Sequence, residues 1–295
     1  MSKPKIVLVA DARGWAWERK SMAIKKYLSD FFDFEIRYEP QMRNTDSTAD
    51  LYLTFDFPGS QKVPAGCKYI TGITAHVDWN VWGLSEVRRW ASGATCLHAN
   101  SKLLVNEVKE RLGVEPFYVP NGVDHTIFYR DAPRGKFTAG YVGKDQEQKG
   151  TDIIKRACEL AGVPLKFNAS RYYSQDVLSA SLMQKWYQDI WVQITCSIKD
   201  GTPNQALESA ACENINIGNA IGNLPEFINT GVNGFLIERN CDAIVEKLIW
   251  CKNNTGSVIE MGRESLKTVL SGWTWEVMAL NYKNMFMHAL DKTDA

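Results

Sequence analysis

Lys199-Asp200-Gly201-Thr202-Pro203-Asn204-Gln205-Ala206-Leu207-Glu208 is the stretch from which the rest of the chain is read. Asp200 and Glu208, eight positions apart, bracket a Gly/Pro turn that opens into an Ala-rich helix expected from about Asn204 to Cys212. The first N–H groups of a helix have no partner inside it, so such a turn suits an anion. Carboxylates at either end accept protons from hydroxyl groups. A phosphate cradle between two hydroxyl acceptors is the arrangement a nucleotide sugar needs. An ordinary loop with a Pro near a helix start and a solvated Glu reads the same way, so the neighbouring sequence has to decide.

Working outward, short apolar runs alternate with amphipathic ones. Lys5–Ala10 reads as a buried parallel strand. A helix is expected over Ala16–Phe32, with apolar positions at Met22, Ile24, Tyr27, Leu28 and Phe31. Strands are expected at Phe34–Tyr38, Asp50–Phe55, Lys68–Thr71, Thr95–Ala99 and Phe117–Val119, with helices over Val81–Ala91 and Ser101–Leu112, Ser101 being the N-cap of the latter. Arg130-Asp-Ala-Pro-Arg-Gly135 breaks both periodicities and reads as a linker. Beyond it come strands at Phe137–Val142, Pro164–Asn168, Asp189–Thr195, Ile215–Gly218 and Gly234–Ile237. Helices are expected at Thr151–Ala161, around Ser179–Tyr187, at Cys241–Asn253 and at Trp275–Leu290. This alternation is the pattern of doubly wound α/β domains, here two of them, 1–132 and 133–295.

Composition narrows the partners. Lys and Arg total 34 and Asp and Glu total 34, so the chain carries no global attraction for nucleic acid or acidic membrane. A local basic patch from Lys20, Lys25, Lys26, Arg88 and Arg89 stays open. The seven cysteines, at 67, 96, 158, 196, 212, 241 and 251, form no CxxC pair, which argues against zinc and a disulfide framework. The apolar run Ile6–Ala10 is too short for a signal-peptide core or a membrane span, which makes the cytoplasm the expected location. No GxGxxG follows the first strand, and there is no P-loop, nucleophile elbow or convincing Asp-x-Asp metal motif.

Further segments fall into order around the acidic pair. They are Tyr118-Val-Pro-Asn-Gly-Val-Asp124 with Phe128, Ala139-Gly-Tyr-Val-Gly-Lys144 running to Lys149-Gly150, Asn223-Leu-Pro-Glu226, Gly231-Val-Asn-Gly-Phe-Leu236, and Trp273-Thr-Trp-Glu276. In this order and spacing the chain, over roughly residues 118–282, resembles the retaining glycosyltransferases of family 4 (group 1). Their GT-B fold sets two Rossmann-like domains facing across a cleft. The N-terminal domain here is shorter than is usual for that family, and the terminal helix at 275–290 is expected to pack back on it.

The resemblance implies transfer of a sugar from a nucleotide donor, UDP- or GDP-linked, to an acceptor hydroxyl, with retention and without metal or other cofactor. Lys144 and Lys149 would neutralise the departing phosphate; the family has Arg at the first position, so the fork becomes a point charge. Asp200, where the family usually has Glu, would hold the donor sugar, and Glu208 the ribose. Amides of Asn204 and Gln205 would bind phosphate, with Gly143 and Gly201 letting backbone approach the donor. Glu226 is read equally as a turn residue. In the first domain, Gly14 stands where the family has a Gly-rich donor loop, and His76, with Asp78 nearby, where relatives place an active-site histidine. The acceptor is left open between glycan, small molecule and modified nucleobase. A non-catalytic nucleotide-sugar binder is the rival from outside the enzymes.

Overall fold

The computed structural model describes residues 2–38, 49–76, 79–170 and 179–292. They form two compact units, one of Met1–Asn121 with Trp275–Ala295 and one of Gly122–Thr274. The first unit holds strands β1 (Lys5–Ala10), β2 (Asp33–Tyr38), β3 (Leu51–Leu53), β4 (Tyr69–Ile73), β5 (Cys96–Ala99) and β6 (Phe117–Tyr118) in the order β2-β1-β3-β4-β5-β6. Every pairing is parallel. Parallel strands need crossovers, and these bring helices onto the sheet's faces. That is why Ile6–Ala10 can be apolar throughout and wholly buried. The crossovers include α1 (Ala16–Leu28), α2 (Trp79–Trp82), α3 (Leu84–Ser92) and α4 (Lys102–Leu112). Ser101 caps α4 by accepting from the Leu104 amide, and Gly113 closes it in the left-handed region.

The second unit alternates strand and helix and then adds one more helix at its end: β7 (Ala139–Lys144), α5 (Thr151–Ala161), β8 (Leu165–Ser170), α6 (Ala180–Gln188), β9 (Val192–Thr195), α7 (Asn204–Ala211), β10 (Ile215–Asn219), α8 (Leu224–Phe227), β11 (Gly234–Ile237), α9 (Cys241–Asn253) and α10 (Thr255–Gly272). Its strands lie in the order β11-β10-β9-β7-β8, again all parallel. The last helix, α11 (Trp275–Asp291), belongs to the first unit. Its Trp275, Met278, Tyr282, Met285 and Phe286 share a core with Ile24, Leu28 and Phe34. The Tyr282 hydroxyl donates to the Val119 carbonyl at 3.0 Å. The fold is thus the α/β pair of Rossmann-like sheets that the alternation implied.

Four local readings are corrected. The first helix ends at Leu28 and not at Phe32, because the chain turns at Ser29 and tucks Phe32 edge-on against Phe286, 5.5 Å between ring centres. Of the apolar positions expected along that helix, Met22 and Phe31 are exposed. The single helix over 81–91 is two helices broken at Gly83, whose φ of 75° no L side chain adopts easily. The stretch 122–135, read partly as first domain and partly as linker, lies in the second unit. There the Arg130 guanidinium donates to the carbonyls of Gln188, Ile190 and Cys212 and to Asn214 Oδ1.

The basic patch does not form as read. Lys20 is 4% exposed, its ammonium set over the rings of Phe55 (5.0 Å) and Tyr282 (5.6 Å). Lys25 is spent on the Phe34 carbonyl and Arg89 on Glu86. Burial pushes the Lys20 amine down to about 7. Burial, with the Lys20 charge adding to it, holds His98 down at about 3, so that ring is neutral. A lysine lowered on folding costs stability fully below its folded value, and that cost is relieved as pH rises from about 7 towards its unfolded value. Lys20→Met, which keeps the volume, is therefore expected to raise the thermal midpoint, and by more at pH 6.5 than at pH 9.5. Calorimetry of the two proteins at both pH values checks this; an equal or opposite effect would show that the ring contacts stabilise the charge fully.

Candidate functional site

In a doubly wound sheet, ligands bind outside the carboxyl ends of the strands where the strand order reverses. In the second unit that point lies between β7 and β9. The chain leaving β7 runs through Lys144 to Lys149 and into α5, away from the chain leaving β9, which runs to Asp200 and into α7. Across this divergence Lys149 Nζ donates to Asp200 Oδ2 at 2.7 Å. Both side chains are mostly buried, 21% and 15% exposed, so solvent screens the pair less than a surface one. Asp200 Oδ1 accepts from the Gly201 amide at 3.0 Å.

The loop carrying the lysines is fixed from several sides. Gly150 sits at φ 63°, and a Cβ there would lie 2.5 Å from the Cys196 carbonyl oxygen. Only glycine lets the β7–α5 turn pass so close to the end of β9. The Ile198 amide donates to the Gln148 carbonyl, and Arg239 Nε to the Cys196 carbonyl, holding the two loops together. Tyr141 reaches up β7 to donate from its hydroxyl to the Lys144 carbonyl at 2.7 Å. A Cβ on Gly143 would lie 2.7 Å from that same hydroxyl, which explains glycine there. Lys144 itself is exposed. Thr151 Oγ1 donates to Asp145 Oδ1, closing the turn.

On the other side, α7 opens at Asn204 after Pro203, with no side-chain cap and no acidic residue in its first turn. The first turn itself carries no charge that would compete with an anion. Glu208 follows Asn204 by four residues and Gln205 by three, so all three stack on one helical face. The carboxylate therefore lies one turn below the helix start. Gly222, at φ 55°, brings the β10–α8 loop against the Gly201 carbonyl, where a Cβ would lie 2.3 Å away. Glu226 lies in α8 behind this loop.

Lys144, Lys149, Asp200, Gly143, Gly201, Asn204 and Gln205 thus share the carboxyl edge of one sheet, and Glu208 lies one turn down α7. His76 and Gly14 lie at the carboxyl edge of the other. Gly14, at φ 79°, donates its amide to the Glu18 carboxylate, which also accepts from the Tyr38 hydroxyl. His76 Nδ1 lies 3.2 Å from Glu107 Oε2, and Trp79 donates to the other carboxylate oxygen. Burial pushes the Glu107 carboxyl up, but hydrogen bonds from His76 and Trp79 outweigh it and hold the group below the usual carboxylate range. Asp78, expected as the polar partner of His76, lies outside the described residues. Glu107 was not singled out from sequence, since it reads there as one more charge on an amphipathic helix. Among the described residues no three His, Cys, Asp or Glu side chains converge as a metal site would require. No helix among them is long and apolar enough to cross a membrane.

Comparison with known proteins agrees with the fold. Residues 172–254 match the family model described as glycosyl transferases group 1. An uncharacterized glycosyltransferase of Methanocaldococcus jannaschii is 24% identical over 210 residues, 65% of this chain and 59% of that protein, so the chain spans little more than half of this relative's length. Among solved structures, sucrose-phosphate synthase from Thermosynechococcus elongatus aligns with a TM-score of 0.78 at 11% identity, covering 97% of this chain and 98% of that one. Anabaena HepE in complex with UDP-glucose aligns with a TM-score of 0.77 at 13% identity, covering 96% and 99%. The chain resembles the group 1 glycosyltransferases in sequence motif and has the GT-B fold.

Gly150→Ala is expected to destabilise the protein by ~2 kcal/mol or more, because it adds left-handed strain to a backbone collision. Chemical denaturation measures it. Gly256→Ala is the control, since a Cβ at Gly256 meets nothing within 4 Å. A loss no larger than the control's would mean that the close approach to Cys196 is not obligatory.

Proposed function

We propose that this chain is a retaining, metal-independent glycosyltransferase that moves a sugar from a UDP- or GDP-sugar to an acceptor hydroxyl. The observation that carries the reading is the Lys149–Asp200 pair at the β7/β9 reversal, beside the uncapped start of α7. A nucleotide sugar presents a diphosphate whose negative charge grows as the glycosidic bond breaks. Lys149, Lys144 and the first amides of α7 offer fixed positive charge to that leaving group. Asp200, next to Lys149, would take hydroxyls of the transferred sugar, and Glu208, one turn down, those of the ribose. The acceptor hydroxyl attacks on the face the nucleotide leaves, and a donor phosphate oxygen takes its proton. No protein carboxylate acts as a covalent nucleophile in this scheme. The UDP-glucose complex of HepE supports a UDP-sugar as the donor to try first. All seven cysteines are unpaired thiols, which supports a reducing, cytoplasmic setting.

A panel of UDP-, GDP-, ADP- and CMP-sugars in a thermal-shift assay tests donor binding, because a ligand of the native state raises the midpoint. One responding donor is expected; none responding overturns the reading. Charge-assisted hydrogen bonds contribute about 1.5–3 kcal/mol. Lys149→Ala is accordingly expected to lower kcat by roughly 10- to 100-fold, and Glu208→Ala to act mainly on donor affinity. Transfer by both variants at the parental rate would remove the site assignment. Donor binding without turnover on any acceptor would favour the non-catalytic alternative. Chelator should leave transfer intact, and NMR of the product should show the donor's anomeric configuration.

A further inference from the structure

Tyr187, near the end of α6, donates its hydroxyl to Glu208 Oε2 at 2.7 Å. The side chain is wholly buried, and nothing in the sequence marked it. We infer that Tyr187 is the positioning residue of the ribose-binding carboxylate, an inference that rests on the role of Glu208 proposed above.

The placement is over-determined. Phe128 meets the Tyr187 ring edge-on at 6.0 Å, and Trp186 does so at 5.3 Å. The Asn214 side-chain amide donates to the Tyr187 carbonyl at 2.8 Å, and Arg130 ties the carbonyls of Gln188 and Ile190 just beyond it. Phe128 is itself set by the turn at Asp124, which accepts the Phe128 amide on its carbonyl and binds Thr126 through its side chain. The segment Asn121-Gly-Val-Asp124 with Phe128 therefore acts on the site at one remove, by fixing a phenol. That phenol takes one carboxylate oxygen and sets the rotation of the group. The other oxygen, Oε1, is thereby directed as the acceptor for the ribose hydroxyls. A glutamate side chain left to its own rotamers would lose entropy on binding that this contact has already removed.

The test compares Tyr187→Phe, Glu208→Gln and the double variant with the parent. Each is titrated with UDP and GDP and with their 2′,3′-dideoxy forms. Removing only the hydroxyl is expected to weaken the ribonucleotide about fivefold, the equivalent of one ordinary hydrogen bond of ~1 kcal/mol. The dideoxy form should change by less than twofold, and in the Glu208→Gln background the effect of Tyr187→Phe should shrink. Equal weakening of both nucleotide forms would mean that Tyr187 merely supports the fold, and no weakening of either would mean that the contact is idle. Both outcomes overturn the inference. If Glu208→Gln discriminates ribo from dideoxy as the parent does, the ribose role of Glu208 fails and takes this inference with it. Loss of transfer in Lys149→Ala would still report separately on the phosphate side of the site.

Discussion

The reversal of strand order between β7 and β9 is the constraint on which the second unit's chemistry depends. Parallel strands are joined by crossovers, and two neighbouring strands whose crossovers leave in opposite directions open a crevice between their carboxyl ends. Lys149 and Asp200 face one another only because each lies on one of those diverging connections. The glycines beside them follow from the same geometry. Gly150 lets one connection graze the end of β9, and Gly222 lets the β10–α8 loop lie on Gly201. The ion pair is thus a product of topology as much as of charge. In this structure Lys149 neutralises the Asp200 carboxylate. A donor whose phosphate engages the lysine and whose hydroxyls engage Asp200 would exchange one compensated pair for two compensated contacts. No charge need be left bare at any stage.

The first unit uses the same topology differently. Its reversal falls between β1 and β3, and the loop after β1 carries Gly14. Beneath that edge the fold tolerates a buried ammonium, Lys20, faced by two aromatic rings and near a neutral imidazole. A buried charge without a carboxylate is costly, and ring faces compensate it only in part. Tyr282, one of those rings, comes from α11, so the unit's core is completed by a helix that begins at Trp275, far downstream of the unit's last strand, which ends at Tyr118.

Much of this was legible because the signals were local. Ile6–Ala10, the Ser101 cap and the alternation after Phe137 each report on their own stretch, and the acidic pair with its Gly/Pro turn marks a helix start that forms where expected, at Asn204. What escaped depends on partners distant in sequence. Lys20 reads as a surface charge until Phe55 and Tyr282 enclose it. Arg130 reads as part of a linker until four acceptors between 188 and 214 claim its guanidinium. The longest helix among the described residues, α10, was not read at all. Its buried face is Val258, Met261, Gly262, Ser265 and Val269, so the spacing is helical but two of five positions carry no hydrophobic signal. Gly262 is there for room, since a Cβ would lie 2.1 Å from the Glu213 carbonyl oxygen.

Tyr187 shows why a binding site is less legible than the motif that names it. Asp200 and Glu208 stand out because a turn and a helix start lie between them, and that pattern is visible in ten residues. The group that aims Glu208 lies 21 residues upstream on another helix. In sequence it looks like any core tyrosine, and its burial is what a core tyrosine would show. The difference is that its hydroxyl needs a partner, and a buried phenol without one would cost about 1–3 kcal/mol. The fold meets that need with the Glu208 carboxylate, one turn down α7, so satisfying the core and aiming that carboxylate are one hydrogen bond. Phe128 and Asn214 are held to the same purpose, which is how a turn motif far along the chain from α7 bears on what α7 can bind.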